Sequence, residues 1–289
     1  MPVPSAVLVE TPAKINLHLG VGPVRADGYH ELATVFQALD LVDELTALPQ
    51  ASGIILEMDA EGERVTGRAA DNLAVRAARA LKQRYKVKQG VRLMLSKQIP
   101  VAGGMAGGSA DAAAALVACN AVWGLGCTQA ELADIAAQLG SDVPFSLHGG
   151  TALGASRGEV LTPVLTTGEF VWVVAASFST LSTPQVYATF DKMHADRAVP
   201  MPKVPAGLLA ALRSGNPTAL GHHLHNDLQP AAIRLRPELD LLLEAGRDYR
   251  ALGAMVSGSG PTCVFLARNH EHGLELAVGL STTGLCRSA

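Results

Sequence analysis

The first regularly patterned stretch covers residues 7–20 and, after Pro12, alternates apolar and polar residues, which is typical of a β-strand. The apolar positions that share one face are Ala13, Ile15, Leu17 and Leu19. The polar positions that share the other face are Lys14, Asn16 and His18. The pattern predicts a half-buried strand with Lys14 and Asn16 side by side on the open face of a sheet. An ordinary solvated strand face is the alternative interpretation.

Helix and strand signals follow one another in mixed order along the rest of the chain. Asp71-Asn72 can cap a helix with an apolar stripe, and residues 91–95 then alternate as a strand. An amphipathic helix is expected at residues 129–139, with Gly140 as a left-handed cap at its end. In the second half, strands are expected at residues 171–176 and 263–266, and helices around Tyr187 and at residues 270–280.

Residues 100–115 contain a loop with four glycines that runs directly into an alanine-rich helix former. Glycine lets the backbone adopt positive φ and bring its N–H groups close to a ligand. The first N–H groups of the helix lack intrahelical partners, and the helix dipole is positive at that end. The arrangement is typical of an anion site, most often one for phosphate. No Gly-Lys-Ser/Thr sequence closes the loop, and a flexible turn before a buried helix is the alternative.

Asp27-Gly28 is a strong turn signal, and Tyr29 and His30 follow it at the start of another apolar segment. An aromatic ring and an imidazole beside a turn can stack on a base and form hydrogen bonds with its edge. A tyrosine that packs over the turn is the alternative.

Asp142 lies in the sequence Gly140-Ser-Asp-Val-Pro144. Pro144 favours extended geometry at Val143, which predicts a defined loop around Asp142. A helix cap or a turn residue is the ordinary role of such an aspartate. Beside a phosphate site, however, a carboxylate is electrostatically unfavourable unless it takes part in the chemistry or holds a cation.

Three histidines, His222, His223 and His225, lie close to Asp227. Their spacing matches no standard metal site, and a polar helix surface is the alternative. Metal ligands therefore stay unassigned.

Composition narrows the class of protein. Of its 289 residues, 48% are hydrophobic and 17% are charged, so the chain can bury a sizeable core. The net charge of -3 argues against nucleic acid or an anionic membrane as a partner. Four cysteines without metal spacing or a disulfide framework are typical of reduced thiols. The chain shows no membrane span and no signal-peptide pattern, so we expect a cytoplasmic protein.

Together these motifs resemble those of the GHMP small-molecule kinases, which include galactokinase, homoserine kinase and mevalonate kinase. The phosphate loop of that family reads approximately Pro-x-x-x-Gly-Leu-Gly-Ser-Ser-Ala, and residues 100–110 match it, with Met105 and Gly108 in place of the commonest Leu and Ser. Four further matches occur in family order: Pro12-Ala-Lys-Ile-Asn-Leu, Asp27-Gly-Tyr-His, Gly140-Ser-Asp-Val-Pro-Phe and Ser257-Gly-Ser-Gly-Pro-Thr. They most resemble the members that phosphorylate the 2-hydroxyl of 4-diphosphocytidyl-2-C-methyl-D-erythritol for isoprenoid precursors.

The resemblance implies roles for individual residues. Asp142 would accept the proton of the attacking hydroxyl, and Lys14 would lie beside it and beside the γ-phosphoryl group of ATP. The implied substrate-binding residues, with the two tyrosines stacked on cytosine and the histidine bonded to it, are Asn16, Tyr29, His30 and Tyr187. The implied ATP-binding residues are Pro100, Val101, Ala102, Gly103, Gly104, Met105, Ala106, Gly107, Gly108, Ser109 and Ala110, together with Asn72, Leu73, Lys97 and Thr183. Ser109 would also help to place Mg²⁺.

The resemblance also implies an α+β fold of two domains with the active site between them. Residues 1–158 would form a ribosomal-protein-like N-terminal domain, and residues 159–289 would form a ferredoxin-like C-terminal domain. ATP and Mg²⁺ are the expected cofactors, and a small molecule is the expected substrate. We expect a monomer or a weak homodimer with no nucleic-acid or membrane partner.

Two other hypotheses stay open. The acceptor could be that of another member of the family, such as homoserine, mevalonate or a sugar, but these have no cytosine for Asp27-Gly-Tyr-His to bind. The chain could instead be a non-catalytic nucleotide-binding domain. Such a domain would be free to lose Lys14 or Asp142, and both are present.

Overall fold

The computed structural model describes residues 5–59, 69–101 and 103–289, which form two compact units. The first comprises the described residues of Met1–Lys14, Ala38–Val101 and Ala106–Gly150. The second comprises those of Ile15–Gln37, Ala102–Met105 and Thr151–Ala289. Both units are discontinuous in sequence, so they differ from two continuous domains that meet at Gly158. That boundary stays a prediction.

Two long strands, β1 (Val7–Val24) and β2 (His30–Gln50), contribute residues to both units. The other elements of the first unit are, in chain order, β3 (Ile54–Met58), α1 (Leu73–Arg84), β4 (Gly90–Ser96), α2 (Gly107–Val122), α3 (Gln129–Leu139) and α4 (Val143–His148). A 3-10 turn at Ala69–Asp71 precedes α1.

Strand β4 lies between two partners in the first unit. It pairs antiparallel with β2, from Glu44↔Ser96 to Gln50↔Gly90, and parallel with β3, from Ile54↔Val91 to Met58↔Leu95. As the alternation predicted, the apolar residues of β4 share one buried face: Val91, Leu93 and Leu95. That face joins the helices in a core of buried residues from α1, α2 and α3.

The helices of the first unit begin where local signals place them. Asn72 Oδ1 accepts a hydrogen bond from Ala74 N at 2.9 Å and caps α1. Thr128 and Glu131 form a capping box at the start of α3. Most residues of α2 are buried, because its small alanine side chains let α1 pack closely against it.

Two local predictions near Asp142 are wrong. Gly140 has φ 175° and ψ 156°, so the residue after α3 is extended rather than left-handed. Val143 is helical rather than extended, because it begins α4. Pro144 lies in the first turn of that helix, where its missing N–H removes no intrahelical hydrogen bond.

The second unit alternates short strands and helices. Its elements after β1 and β2 are, in chain order, β5 (Thr151–Ser156), β6 (Val160–Pro163), β7 (Trp172–Ala175), α5 (Thr183–Met193), α6 (Ala206–Ser214), α7 (Pro217–Gly221), β8 (His225–Asn226), α8 (Gln229–Leu235), α9 (Glu238–Asp248), β9 (Gly253–Val256), β10 (Cys263–Leu266) and α10 (His270–Thr282). The strands and helices predicted for residues 171–176, 263–266, 270–280 and around Tyr187 are confirmed.

Two sets of strand pairs organise the second unit. In one, β10 lies between β7 and β9 with antiparallel pairing, and all four of its residues are buried. In the other, β5 pairs antiparallel with β2 and with β6, and β8 pairs parallel with β1 at His18↔His225. A separate core gathers buried residues of this unit from Leu19 to Cys286.

The polar face predicted for β1 is not open to solvent. Lys14, Asn16 and His18 alternate with the apolar residues as expected, but each of the three is at most 5% exposed. Burial of a polar side chain is unfavourable unless it has partners, and Lys14 and Asn16 have them. The prediction of a half-buried strand is therefore wrong, and the polar face of β1 is an interior surface.

Within the residues that the structure describes, no helix combines the length and the apolar character needed to cross a membrane.

Candidate active site

Lys14 and Asp142 form an ion pair in the first unit. Lys14 Nζ lies 3.5 Å from Asp142 Oδ2, and the exposed fraction of the side chain is 6% for Lys14 but 32% for Asp142. Asp142 immediately precedes α4, yet its side chain makes no capping hydrogen bond to that helix. The carboxylate therefore faces an ammonium group and reaches solvent. In this arrangement a carboxylate can accept a proton from an alcohol, and the ammonium can stabilise negative charge on a transferred group.

The N-terminus of α2 has the features of an anion site. Ala106, the residue before the helix, is left-handed with φ 60° and ψ 29° and makes no side-chain capping hydrogen bond. The first backbone hydrogen bond of the helix runs from Ala110 N to Ala106 O at 2.9 Å. The N–H groups of the first turn therefore need another acceptor, and an anion is favoured there by the helix dipole.

Gly107 and Gly108 lie in that first turn, and side chains from outside α2 lie near both positions. A Cβ on Gly107 would lie 3.2 Å from Lys97 Nζ, and a Cβ on Gly108 would lie 3.4 Å from Leu73 Cδ1. The structure thus brings two of the predicted ATP-binding residues, Lys97 and Leu73, next to the start of α2.

The preceding part of the glycine loop belongs to the second unit. Gly104 has φ +75°, and a Cβ on it would lie 2.5 Å from Ser257 O, so this position requires glycine. Ser257 Oγ also donates a hydrogen bond to Gly104 O at 3.3 Å. The second glycine loop, which begins at Ser257, therefore supports the first one. Gly103 and Met105 are buried, whereas Ala102 lies outside the described residues.

Pro100 and Val101 precede the glycines at the end of the first unit's second segment. Val101 is exposed and Pro100 is half-buried. Ser109, which follows the glycines in α2, is also half-buried.

Lys97 is enclosed by two carboxylates that the sequence reasoning missed. Its ammonium group binds Asp43 and lies 2.9 Å from Asp111 Oδ2, and no side chain of the three is more than 5% exposed. Asp43 Oδ1 also accepts hydrogen bonds from Gln98 N at 2.7 Å and from Ile99 N at 2.9 Å. The cluster Asp43–Lys97–Asp111 therefore fixes the segment that leads into the glycine loop.

Burial changes the acidity of one carboxylate in the cluster, that of Asp111. It raises the pKa of Asp111 from 3.8 to about 7, with a further contribution from Asp43, while Lys97 opposes the shift. One sequence signal could have pointed to Asp111, which is the only charged residue between Lys97 and Glu131. A lone carboxylate in an alanine-rich helix that is otherwise apolar needs a buried partner.

Asn16 is held on β1 by a short chain of hydrogen bonds in the second unit. Asn16 Nδ2 donates to Thr34 Oγ1 at 2.8 Å, and Thr34 Oγ1 donates to His18 O at 2.7 Å. Because the hydroxyl has one hydrogen, it must accept from the amide, which fixes the orientation of Asn16. Thr34, on β2, was not singled out in the sequence.

In the second unit the ring of His30 contacts that of Tyr187, and the ring of Tyr29 contacts Arg157. The rings of His30 and Tyr187 stack, with centroids 5.0 Å apart. Tyr29 is exposed, and the guanidinium carbon of Arg157 lies 5.1 Å from the centre of its ring. A cation over the ring occupies one aromatic face of Tyr29.

Thr183 begins α5 and bonds to the second glycine loop. Thr183 Oγ1 lies 2.8 Å from Ser259 Oγ, within hydrogen-bond distance. This contact joins the helix that carries Tyr187 to the loop that supports Gly104.

The histidine-rich segment does not provide a metal centre. His225 Nε2 bonds to Asp227 Oδ1 at 2.8 Å, and Asp227 Oδ2 accepts a hydrogen bond from Val21 N at 2.8 Å. His225 lies on β8 rather than on a helix surface. The described part of the chain contains no group of three or more His, Cys, Asp or Glu side chains that could hold a metal ion.

Comparison with known proteins assigns these features to a family. The family model described as the GHMP kinases N terminal domain matches residues 72–150, which include the start of α2 and Asp142. The model described as GHMP kinases C terminal matches residues 208–284. The chain therefore belongs to the GHMP kinases, which are ATP-dependent phosphotransferases.

Curated relatives narrow the comparison further. The 4-diphosphocytidyl-2-C-methyl-D-erythritol kinase of Salinispora tropica is 53% identical over 285 residues, which cover 98% of this chain and 90% of that protein. The kinase of the same name from Thermobifida fusca is 50% identical over 293 residues, covering 99% of this chain and 95% of that protein.

Solved structures share the fold. A crystal structure of 4-(cytidine 5'-diphospho)-2C-methyl-D-erythritol kinase has a TM-score of 0.79 and 33% identity, covering 96% of both chains. The L. major mevalonate kinase in complex with R-mevalonate has a TM-score of 0.77 at 18% identity and covers 99% of this chain and 95% of its own. The expected α+β fold of the GHMP kinases is confirmed.

Proposed function

We propose that this chain transfers the γ-phosphoryl group of ATP to the 2-hydroxyl of 4-diphosphocytidyl-2-C-methyl-D-erythritol, a step in the synthesis of isoprenoid precursors. The observation that carries the proposal is the Lys14–Asp142 pair, a buried ammonium beside a solvent-accessible carboxylate, in a chain about half identical to kinases of that name.

Asp142 acts as the general base. It accepts the proton of the 2-hydroxyl as the oxygen attacks phosphorus, and the bond to the leaving ADP oxygen breaks. Lys14 stabilises the negative charge that develops on the transferred group. Positioned proton transfer of this kind contributes about 10²–10⁴-fold to the rate.

The glycine loop and the start of α2 hold the phosphates of ATP. The N–H groups of the first helical turn supply donors, and the residues from Pro100 to Ala110 wrap the phosphates, with Leu73, Asn72 and Thr183 near the nucleotide. Support comes from the absent side-chain cap at Ala106 and from the close approach of Gly108 to Leu73. Lys97, whose ammonium is already bound by two carboxylates, serves by holding the loop rather than by binding phosphate.

Mg²⁺ would enter with ATP. Magnesium commonly keeps several waters and phosphate oxygens as ligands and takes only one or two from the protein, so it needs no three-ligand protein cage. The hydroxyl of Ser109, in the first turn of α2, fits that donor set. The ion would neutralise charge on the phosphates.

The cytidyl group would be recognised in the second unit by Asn16, Tyr29, His30 and Tyr187. Support comes from the aromatic pair His30 and Tyr187 and from the fixed amide of Asn16. Tyr29 can offer an exposed ring face to a base, since its side chain is largely accessible.

The experiment is ADP release by the purified protein with ATP and Mg²⁺. Four acceptors are compared: the cytidyl substrate, mevalonate, homoserine and galactose. We expect turnover with the cytidyl substrate alone. Turnover with another acceptor would keep phosphoryl transfer but contradict the roles of Tyr29, His30 and Tyr187. ATP binding without turnover of any acceptor would favour the non-catalytic hypothesis.

A cytoplasmic location, a monomeric or weakly dimeric state and the absence of nucleic-acid partners remain predictions from the sequence.

A further inference from the structure

Three side chains of helix α5 contact the imidazole ring of His30. Tyr187, Phe190 and Asp191 have the helical spacing i, i+3 and i+4, which places them on one face. The Tyr187 ring stacks on His30 at 5.0 Å, and the Phe190 ring meets it edge-on at 6.0 Å. Asp191 Oδ1 lies 2.8 Å from His30 Nε2. Two ring contacts and one hydrogen bond therefore fix the position of the His30 imidazole.

The contact with Asp191 restricts which nitrogen of His30 carries hydrogen. A carboxylate has no hydrogen to donate, so His30 Nε2 must be the donor in this bond. In a neutral imidazole the other nitrogen, Nδ1, is then an acceptor. Such an orientation of a histidine by a carboxylate that never touches the ligand is a common way to fix its tautomer.

A fixed acceptor at Nδ1 distinguishes two pyrimidines. The exocyclic amino group of cytosine donates hydrogen bonds, whereas uracil has a carbonyl oxygen at the same place, which only accepts. An acceptor facing an acceptor leaves both groups without a hydrogen bond, and a site built for a donor rejects the analogue that lacks it.

We infer that Asp191 is a positioning residue that holds His30 in the tautomer with hydrogen on Nε2, so that Nδ1 selects cytosine against uracil in the nucleotide part of the substrate. The inference rests on the proposed function, in which His30 binds the cytosine edge. Asp191 itself is about half exposed, with 47% of its side chain accessible. A hydrogen bond to a partly exposed carboxylate contributes only modestly to stability, so the main effect of Asp191 is expected on selectivity.

The experiment compares the wild type with Asp191→Asn on the cytidine substrate and on its uridine counterpart. We expect the ratio of kcat/KM for the two bases to fall by about tenfold in Asp191→Asn, because the amide can donate as well as accept and no longer fixes the tautomer. The KM for ATP should be unchanged. Asp191→Glu, which keeps a carboxylate, should keep most of the preference. Asp196→Asn, an exposed aspartate just after α5, is the matched control and should leave the ratio unaltered.

The tautomer is measured directly by ¹⁵N NMR of the full chain with labelled histidine, with the His30 signals assigned through His30→Gln. We expect hydrogen on Nε2 alone in the wild type and a mixture in Asp191→Asn. Hydrogen on Nδ1 in the wild type would overturn the inference. Equal decreases of kcat/KM for the cytidine and uridine substrates in Asp191→Asn would also overturn it. If the wild type binds ATP but turns over neither compound, the proposed function fails and the selectivity role with it. The NMR measurement does not depend on turnover. If the wild type has hydrogen on Nε2 alone and Asp191→Asn has a mixture, the role of Asp191 in fixing the tautomer holds even where the proposed function fails.

Discussion

Two buried lysines of the first unit face carboxylates in different ways. Lys14 lies 3.5 Å from one carboxylate, and that carboxylate is 32% exposed. Lys97 binds two carboxylates, Asp43 and Asp111, which are 1% and 5% exposed. The ammonium groups are similarly buried, so the difference lies in their partners. The accessible carboxylate can exchange a proton with a substrate, whereas the enclosed ones hold the chain in place.

The difference has an energetic counterpart. Removing one partner of an enclosed ion cluster leaves charge that water cannot reach, which is strongly destabilising. Removing one partner of a pair that reaches solvent leaves charge that water can hydrate. The lysine in the Asp43–Lys97–Asp111 cluster should therefore matter for folding, and the one beside Asp142 should matter for catalysis.

The largest effect is expected for Asp142→Asn. An amide cannot take the proton of the attacking hydroxyl, so kcat should fall by about 10²–10⁴-fold while the affinity for ATP stays within a few fold. Steady-state kinetics and ATP titration measure the two quantities. Asp134→Asn, at an exposed position on α3, is the matched control and should keep kcat. Turnover of Asp142→Asn at a rate near that of the wild type would exclude the general-base role.

Lys97→Met should mainly cost stability. It leaves Asp43 and Asp111 buried without their cation, and the free energy of unfolding should fall by about 3–5 kcal/mol. Urea unfolding monitored by circular dichroism measures it. Lys88→Met removes an exposed lysine and should change the free energy of unfolding by less than about 0.5 kcal/mol. If Lys97→Met and Lys88→Met changed the free energy of unfolding by equally small amounts, the structural role of the cluster would be contradicted.

Lys14→Met should show the opposite balance. On the proposed mechanism, in which Lys14 stabilises the transferred group, its loss should lower kcat by about 10²-fold, as removal of a charge-stabilising donor commonly does. The free energy of unfolding should fall by less than half the loss in Lys97→Met, since Asp142 remains hydrated. The same kinetic and urea experiments on both variants test the pair of expectations. A larger stability loss in Lys14→Met than in Lys97→Met would reverse the comparison.

The smallest effect concerns the acid in the enclosed cluster. Because burial raises the pKa of Asp111 to about 7 from 3.8, the folded protein binds this proton more tightly than the unfolded chain. The tighter binding of this proton stabilises the folded state fully below pH about 4, and this contribution is lost as the pH rises through about 7. The difference in unfolding free energy between the wild type and Asp111→Asn should therefore fall over this range and level off above it. A difference independent of pH would contradict the raised pKa.

Local signals in the sequence were sufficient for much of the fold. The cap at Asn72, the alternation in β4 and the small residues of α2 each act within a few positions, and the structure has the corresponding elements. The motif around Asp142 likewise led to the residue that pairs with Lys14. Near Pro144, however, the local preference of Val143 for extended geometry lost to the formation of a short helix.

Partners that come from distant parts of the chain could not be found in this way. Asp43 lies on β2 and Asp111 on α2, and no periodicity relates either of them to Lys97. Asp191 reaches His30 across 161 positions. The burial of the polar face of β1 depends on what covers a strand, and alternation reports only which residues share a face.

Ala106, the residue before α2, has a left-handed backbone that restricts the conformations of the loop. A residue with a side chain at φ 60° is less favourable than glycine would be there, by about 1 kcal/mol. The same methyl group, however, excludes many of the backbone conformations that glycine would sample. The loop should therefore lose less conformational entropy when it binds an anion. Ala106, the residue immediately before the helix, thus restricts the backbone of the loop more than a glycine at that position would.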